Sequence, residues 1–346
     1  MKIADRTIGA HSKPFIIAEL SGNHGQSLGK ALSMIDAAAA AGADAIKLQT
    51  YRPDTITLNV QEGDFYIDNP ESLWHGHSLY ELYERAMTPW EWHEPLFNRA
   101  KQLGLIAFSS PFDLTAVDYL ESLNVPCYKI ASFENTDHGL IAAVAKTGKP
   151  VILSTGMATQ AELAEAIEVL CTNGCENFVL LKCTSQYPAR PKDANLATIP
   201  HLKQLFNCEV GLSDHTTGIG VAVAAVALGA TVIEKHFVLD RTEGGVDAEF
   251  SMEPAEFKSL VDECARAYDA VGKIHYGCTE QEVASRVHRR SLYIAEDMQA
   301  GDVLTTKNLR SVRPGAGLPT KHLEVLLGRR IKQSAKKGTP MSWDLV

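Results

Sequence analysis

Eight short runs of β-forming residues alternate with helical stretches along the chain, and this alternation constrains the fold more than any other feature. The runs cover residues 15–19, 45–49, 105–109, 127–131, 151–154, 178–184, 209–213 and 232–236. Strands that alternate with helices of this length indicate parallel β–α units. Eight such units in about 270 residues predict a closed (β/α)8 barrel of the TIM type.

Glycines follow several of the predicted helices and support the same arrangement. A glycine in this position adopts the left-handed conformation that ends many helices before the next strand. These residues are Gly42, Gly104, Gly148, Gly174 and Gly229. An open doubly wound sheet is the structural alternative, but it favours the fingerprint G-x-G-x-x-G after the first strand. Residues 21–25 read SGNHG and do not match that fingerprint.

The pattern changes after Gly272. Residues 273–285 are mainly polar, and the remaining chain has short β-like runs separated by turns at Gly301 and at Pro314. We therefore predict a (β/α)8 barrel domain over residues 1–272, a linker over residues 273–285, and a small β-rich domain over residues 286–346.

Composition excludes some classes of function. The 33 basic and 42 acidic side chains give a net charge of −9, which disfavours a nucleic-acid binder or a protein of anionic membranes. The longest apolar stretch, residues 221–233, is shorter than the about 20 residues that span a bilayer. No apolar signal region follows the N-terminus, and none of the seven cysteines forms a C-x-x-C pair. We expect reduced thiols and a cytoplasmic protein.

Polar side chains stand at the carboxyl end of all eight predicted strands. Barrels of this type carry their catalytic groups at that end. One polar strand end is routine for a turn, but eight of eight predict an active site. The polar residues at or just beyond these ends include Glu19, Lys47, Gln49, Ser110, Lys129, Ser132, Ser154, Ser185, Tyr187, Ser213, His215 and His236.

The two histidines form a candidate metal site. His215 and His236 end strands that are neighbours in a barrel, so we expect their rings to lie close together. Imidazole is a common ligand for divalent metals, and a pair of them leaves positions open for water or substrate. Glu19 and Asp247 are possible additional ligands or acid/base groups. The alternative is a pair of hydrogen-bonded histidines without a metal.

Lysines and serines at the strand ends form a candidate anion site. Lys129 supplies charge, and Ser132, Ser154 and Ser213 supply short donors. The alternative for each serine is a helix cap. A lysine at a strand end can also be a Schiff-base nucleophile, so a Schiff-base aldolase remains open. The candidates for that role are Lys47, Lys129, Lys182 and Lys235.

The connection between the second and third strands is rich in aromatic residues. Residues 73–83 read LWHGHSLYELY. Aromatic faces suit ligands rich in C–H groups, so this segment is a candidate wall of a sugar-sized pocket. The alternative is a lid that packs on the barrel.

Several strings of the sequence together resemble the sialic acid synthase family. The likeness covers nearly the whole chain in order, and its C-terminal part resembles that family's antifreeze-like (SAF) domain. The strings are IAELSGNH (17–24), GADAIKLQT (42–50), YKIAS (128–132), LSTG (153–156), GLSDH (211–215), IEKHF (233–237), RSL (290–292) and VRPG (312–315).

Other strings resemble one branch of the family, which acts on 2,4-diacetamido-2,4,6-trideoxy-L-altrose. They are LYELYE (79–84), TPWEWH (88–93) and FSSPF (108–112). The branch that uses N-acetylmannosamine has an asparagine where this chain has Ser185. N-acetylmannosamine and the manno-configured trideoxy sugar remain the alternative substrates with the same chemistry, and a sugar-binding protein with an inert barrel is the non-enzymatic alternative.

The resemblance implies a condensation of phosphoenolpyruvate with the sugar, giving a nine-carbon nonulosonic acid and phosphate. It assigns a divalent cation (manganese, magnesium or cobalt) to His215 and His236, and proton transfer to Glu19. The phosphoenolpyruvate site implied by the family consists of Lys47, Ser110, Lys129, Ser132, Ser154, Ser185 and Ser213. The implied sugar site consists of Gln49, Tyr187, Asp247 and Arg313.

The resemblance also implies a homodimer. In the family, the C-terminal domain closes over the barrel of the partner subunit. Arg313 matches the residue that reaches into the partner's site, toward an acetamido group. The alternative is a small domain that serves only for packing.

Overall fold

Eight parallel strands close into one barrel in the computed structural model, which describes residues 1–346. The barrel closes between the last and the first of these strands, where His236 is in register with Glu19. The predicted (β/α)8 fold is therefore confirmed. A hairpin of β1 (Lys2–Ile3) and β2 (Arg6–Thr7) precedes the barrel. The barrel strands are β3 (Phe15–Glu19), β4 (Ala45–Thr50), β5 (Ile106–Pro111), β6 (Tyr128–Ile130), β7 (Val151–Ser154), β8 (Phe178–Cys183), β9 (Glu209–Asp214) and β10 (Val232–His236).

Helices surround the barrel, and several begin with a capping residue from the connecting loop. Ser78 and Thr159 each accept a hydrogen bond from the backbone three residues on, and Glu81 and Glu162 complete capping boxes. The helices are α1 (Leu28–Ala40), α2 (Pro53–Ile56), α3 (Leu79–Ala86), α4 (His93–Gln102), α5 (Leu114–Ser122), α6 (His138–Lys146), α7 (Gln160–Thr172), α8 (Thr198–Phe206), α9 (Gly220–Ala227) and α10 (Pro254–Val271).

The interior of the barrel is apolar toward the amino ends of the strands. Phe15, Ile17 and Phe108 are buried there, and Ile3 and Ile8 from the N-terminal hairpin region join the same cluster. Side chains alternate along each strand, so the next inward position after Ile17 is Glu19. The barrel interior therefore changes from apolar to charged toward the carboxyl ends. A separate apolar layer fills the space between strands and helices.

The chain divides into two units, Met1–Gly272 and Lys273–Val346. The second unit contains an antiparallel pair, β11 (Ser291–Ile294) and β12 (Leu309–Val312), and a short helix, α11 (Leu323–Leu326). Its own core is built around Leu292, Leu304 and Leu326. In neither unit does a helix combine the length and the apolarity that crossing a membrane requires.

Candidate active site

A cavity of about 410 Å³ lies at the carboxyl ends of the barrel strands. It brings together most of the residues that the sequence singled out. Those that line it are Glu19, Lys47, Gln49, Lys129, Ser132, Ser154, Tyr187, Ser213, His215, His236 and Asp247.

Three of the predicted site residues do not line this cavity. Ser110 is buried on β5, opposite Gln49 in the strand register, and its hydroxyl has no hydrogen-bond partner. The Ser185 hydroxyl lies 3.9 Å from the Cys183 thiol, which does line the cavity, so Ser185 borders the site. Arg313 is exposed and belongs to the second unit, just after β12.

Buried lysines and carboxylates occupy the floor of the cavity. The Lys47 Nζ atom lies 2.9 Å from Glu19 Oε2 and 3.1 Å from Glu234 Oε1. The Lys129 ammonium donates to the Ser154 hydroxyl at 2.6 Å and lies 3.9 Å from Glu234 Oε1. Glu234 had no predicted role, although it lies two residues before His236 and so projects to the same side of β10.

The two floor carboxyls have different protonation behaviour. Burial raises the pKa of Glu19 to about 7, against the opposing effect of the Lys47 ammonium. Burial also disfavours the charge of Glu234, but Lys129 and Lys47 outweigh it and hold its pKa below the ordinary value. Carboxyls with separated pKa values are suited to separate roles. Glu19 is suited to proton transfer near neutral pH, and Glu234 to neutralising the two ammonium groups.

The two histidine rings lie side by side at the cavity wall. Their centroids are 5.3 Å apart, and the His215 Nδ1 atom lies 3.0 Å from the Thr184 carbonyl oxygen. A ring that donates from Nδ1 presents the Nε2 lone pair. Burial, followed by the repulsion of His215, holds the pKa of His236 well below its usual value. Burial also lowers the pKa of His215, but Cys183 and Thr184 raise it more, so that it lies above the ordinary value.

The imidazole nitrogens of His215 and His236 are suitable ligands for a divalent cation. The His236 Nδ1 atom is buried without a hydrogen-bond partner, and the Asp247 Oδ2 atom lies 3.8 Å from it. The structure has no group of three or more His, Cys, Asp and Glu side chains arranged as a metal site. A cation on two imidazoles keeps positions open for water and substrate.

A buried ion pair fixes the strand ends that carry the histidines. The Lys235 ammonium donates to Asp214 Oδ2 at 2.6 Å and to the Thr216 carbonyl at 2.5 Å. Asp214 and Lys235 are register partners on β9 and β10, each one residue before a histidine. Lys235 is therefore engaged outside the cavity, and Lys182 donates to Thr184 at 2.7 Å. Of the four candidate Schiff-base lysines, only Lys47 and Lys129 line the cavity.

The aromatic connection contributes to the opposite side of the cavity. Trp74 and Tyr83 line it, and the Trp74 indole N–H donates to the Val246 carbonyl at 2.9 Å. The Tyr187 ring lies 4.5 Å from the His215 ring between their centroids. The Gln49 amide donates to Glu19 Oε1 at 2.9 Å, and the Ser21 hydroxyl donates to Asp247. Hydrogen-bonding groups therefore lie beside aromatic faces, as a sugar requires.

Glu134 also lines the cavity, although it was not among the predicted site residues. It lies in a single turn of 3₁₀ helix after β6, where no strand or helix periodicity indicates the direction of a side chain. Burial raises its pKa to about 7, and its Oε2 atom has no hydrogen-bond partner.

Glu134→Gln is expected to stabilise the protein in a pH-dependent manner. The raised pKa means that the folded protein binds more protons than the unfolded chain between pH 4.5 and about 7, so stability is lost as the pH rises through this window. The free energy of unfolding of the variant should equal that of the wild type near pH 4 and exceed it by up to ~3 kcal/mol at pH 8. Urea unfolding across this range measures the difference. Glu168→Gln, on an exposed helix face, is the matched control, and an equal gain in both variants contradicts the assignment.

Comparison with known proteins assigns the class. Residues 34–276 match the NeuB family and residues 289–346 match the SAF domain. The chain belongs to the NeuB family, and the resemblance to sialic acid synthases is confirmed. It is 47% identical to the pseudaminic acid synthase of Campylobacter jejuni over 326 residues, covering 94% of each chain. It is 43% identical to the pseudaminic acid synthase of Helicobacter pylori over 332 residues, covering 96% of this chain and 97% of the relative.

Solved structures agree with this assignment. The N-acetylneuraminic acid synthetase of Leptospira borgpetersenii superposes with a TM-score of 0.73 at 35% identity, covering 82% of this chain and 94% of that chain. The spore coat polysaccharide biosynthesis protein SpsE of Bacillus subtilis superposes with a TM-score of 0.68 at 30% identity, covering 100% of this chain and 98% of that chain.

Proposed function

We propose that the protein is a pseudaminic acid synthase, which condenses phosphoenolpyruvate with 2,4-diacetamido-2,4,6-trideoxy-L-altrose to give a nine-carbon nonulosonic acid and phosphate. The observation that carries the proposal is the identity of 43–47% to pseudaminic acid synthases over nearly the full length. Identity to N,N'-diacetyllegionaminic acid synthases is 35%, and identity to the human N-acetylneuraminate-9-phosphate synthase is 30%.

Phosphoenolpyruvate binds at the floor of the cavity in this account. The ammonium groups of Lys47 and Lys129 hold its carboxylate and phosphate, and Ser154 already lies 2.6 Å from Lys129. Hydrogen bonds from charged donors to anions are short and strong. The hydroxyls that complete this site in our proposal belong to Ser132, Ser154 and Ser213, which line the cavity, and to Ser110 and Ser185, which lie outside its lining.

His215 and His236 would hold a divalent cation (manganese, magnesium or cobalt), which supplies Lewis-acid polarisation of a carbonyl oxygen when bound. The hydrogen bond of His215 to Thr184 and the ion pair of Asp214 with Lys235 keep the two rings in place. Gln49, Tyr187 and Asp247 orient the sugar so that its aldehyde carbon meets the enol.

The bond changes follow from these positions. The methylene carbon of phosphoenolpyruvate attacks the aldehyde carbon, and the aldehyde oxygen takes up a proton from Glu19. Water adds to the cationic C2 carbon with loss of a proton, and the C2–O bond to phosphate breaks. The products are the nonulosonic acid and phosphate. A Schiff-base reaction would use free pyruvate on Lys47 or Lys129 instead, and borohydride with pyruvate would trap its adduct.

We also propose a homodimer in which the C-terminal domain of each subunit caps the barrel of the other. In this arrangement the partner subunit's Arg313 approaches an acetamido group of the sugar. Arg313 is exposed on its own unit, so its guanidinium is available for such a contact. The seven cysteines carry no disulfide, which supports a reducing, cytoplasmic setting.

Arg313→Ala is expected to raise KM for the sugar at least about tenfold, because it removes a charged hydrogen-bond donor worth about 1.5–3 kcal/mol. KM for phosphoenolpyruvate should change little. Steady-state kinetics with each substrate varied in turn measures both values. Arg310→Ala, on the neighbouring β12 strand, is the control. An equal effect on both substrates contradicts the cap.

Phosphate release with a panel of three sugars tests the substrate. The panel contains 2,4-diacetamido-2,4,6-trideoxy-L-altrose, its manno-configured counterpart and N-acetylmannosamine, each with phosphoenolpyruvate and manganese. We expect the largest kcat/KM with the altro sugar and a product mass equal to the nine-carbon acid. A higher kcat/KM with either of the other sugars overturns the assignment.

A further inference from the structure

One side of the active-site cavity is apolar and does not belong to the hydrophobic core. We define the apolar wall as Ile56, Ile67, Leu79 and Phe112. All four side chains line the cavity and are only half-buried. None belongs to the apolar clusters between the strands and helices or inside the barrel. The wall therefore presents apolar surface to whatever occupies the cavity.

The apolar wall and the reactive groups lie on different structural elements, at different distances from the barrel strands. Glu19, Lys47 and His236 lie on barrel strands. Ile56, Ile67 and Leu79 lie on the long connection between β4 and β5, and Phe112 follows β5. The aldehyde must lie at the strand ends, because the new bond forms there. The far end of the sugar chain then points toward the connections.

Two polar groups on the same connection, the Trp74 indole and the Ser78 hydroxyl, are already paired. The Trp74 indole N–H donates to the Val246 carbonyl, and Ser78 exchanges hydrogen bonds with Glu81. A sugar hydroxyl in contact with the apolar wall would lose its hydrogen bonds to water, and the paired groups of Trp74 and Ser78 could not replace them. This loss is unfavourable. A methyl group in the same position gains by burial of about 25 cal/mol per Å².

We infer that the apolar wall binds the C6 methyl group of the deoxy sugar and sets the discrimination against sugars that carry a hydroxyl at C6. This inference rests on the proposed function, because it assigns the wall to the distal carbon of the proposed substrate. An apolar pocket of this type rejects an added hydroxyl by a factor on the order of 10².

The test compares 2,4-diacetamido-2,4,6-trideoxy-L-altrose with the same sugar carrying a hydroxyl at C6. The variants are Ile56→Thr with Ile67→Thr, and as matched control Ile56→Val with Ile67→Val. Threonine and valine have nearly the same shape, so only the first variant adds hydroxyl groups. Both positions lie outside the core, so both variants should fold.

We expect the wild type to favour the deoxy sugar on the order of 10²-fold in kcat/KM. The threonine variant should lower this ratio at least about tenfold, mainly through KM for the deoxy sugar, and the valine variant should change it less than about threefold. KM for phosphoenolpyruvate should stay constant. An unchanged ratio in an active threonine variant, or an equal change in the valine control, overturns the inference alone. A wild type inactive with both sugars overturns the proposed function and the inference together.

Discussion

Replacing either His215 or His236 by alanine is expected to reduce phosphate release on the order of 10³-fold, because Lewis-acid assistance is worth several kcal/mol. The rings lie 5.3 Å apart between centroids, so each variant leaves a single imidazole at this point of the cavity wall. Two further measurements separate function from folding. Calorimetry should show weaker manganese binding, and thermal unfolding should stay cooperative.

A buried histidine outside the cavity provides the control for this experiment. His93 contacts Thr50 Oγ1 at 2.7 Å through Nε2 and does not line the site. His93→Gln keeps a polar group there and should retain activity and manganese affinity. Full activity in both alanine variants would exclude the proposed role of the pair.

Glu19→Gln is expected to lower kcat by about 10²–10⁴-fold, the usual contribution of a positioned acid or base. Burial raises the pKa of Glu19 to about 7, so the neutral acid predominates below that pH and the carboxylate above it. The aldehyde oxygen needs a proton when the carbon–carbon bond forms. Because kcat/KM reports the ionisable groups of the free enzyme, the wild-type kcat/KM should fall as the pH rises through about 7, and the variant should not show this fall.

Glu234→Gln is the matched control for the pH profile. Glu234 is equally buried but has a lowered pKa, and its negative charge contributes, after burial, to raising the pKa of Glu19. Its replacement should therefore move the fall in kcat/KM to lower pH without abolishing it. Persistence of this fall in Glu19→Gln, or a wild-type kcat/KM that decreases toward acid instead, contradicts the role of Glu19 as the acid.

The barrel and its reactive end were predictable because both depend on local patterns. Alternation of strand and helix signals identified the eight units, and the polar strand ends identified the cavity floor. The alternation of side chains along a strand could also have reduced the number of candidate Schiff-base lysines. Lys235 lies between Glu234 and His236, so it must point away from them and toward the helices, where it pairs with Asp214.

The residues that line the cavity opposite the strand ends could not be predicted from such local patterns. Ile56 and Leu79 lie in the short helices α2 and α3, and Ile67 lies in a loop between them. Their approach to the strand ends depends on long-range packing. Glu134 lies in a single 3₁₀ turn, whose side-chain directions no periodicity encodes. The aromatic composition of residues 73–83 did indicate a pocket wall, and Trp74 and Tyr83 line the cavity.

The most direct test of the account is phosphate release by enzyme stripped with a chelator, before and after manganese is restored. The mixture contains phosphoenolpyruvate and 2,4-diacetamido-2,4,6-trideoxy-L-altrose. We predict one phosphate per sugar consumed, only when manganese and sugar are both present. Turnover that persists in the stripped enzyme, or that consumes free pyruvate through an adduct trapped by borohydride, would contradict a metal-assisted condensation at this site.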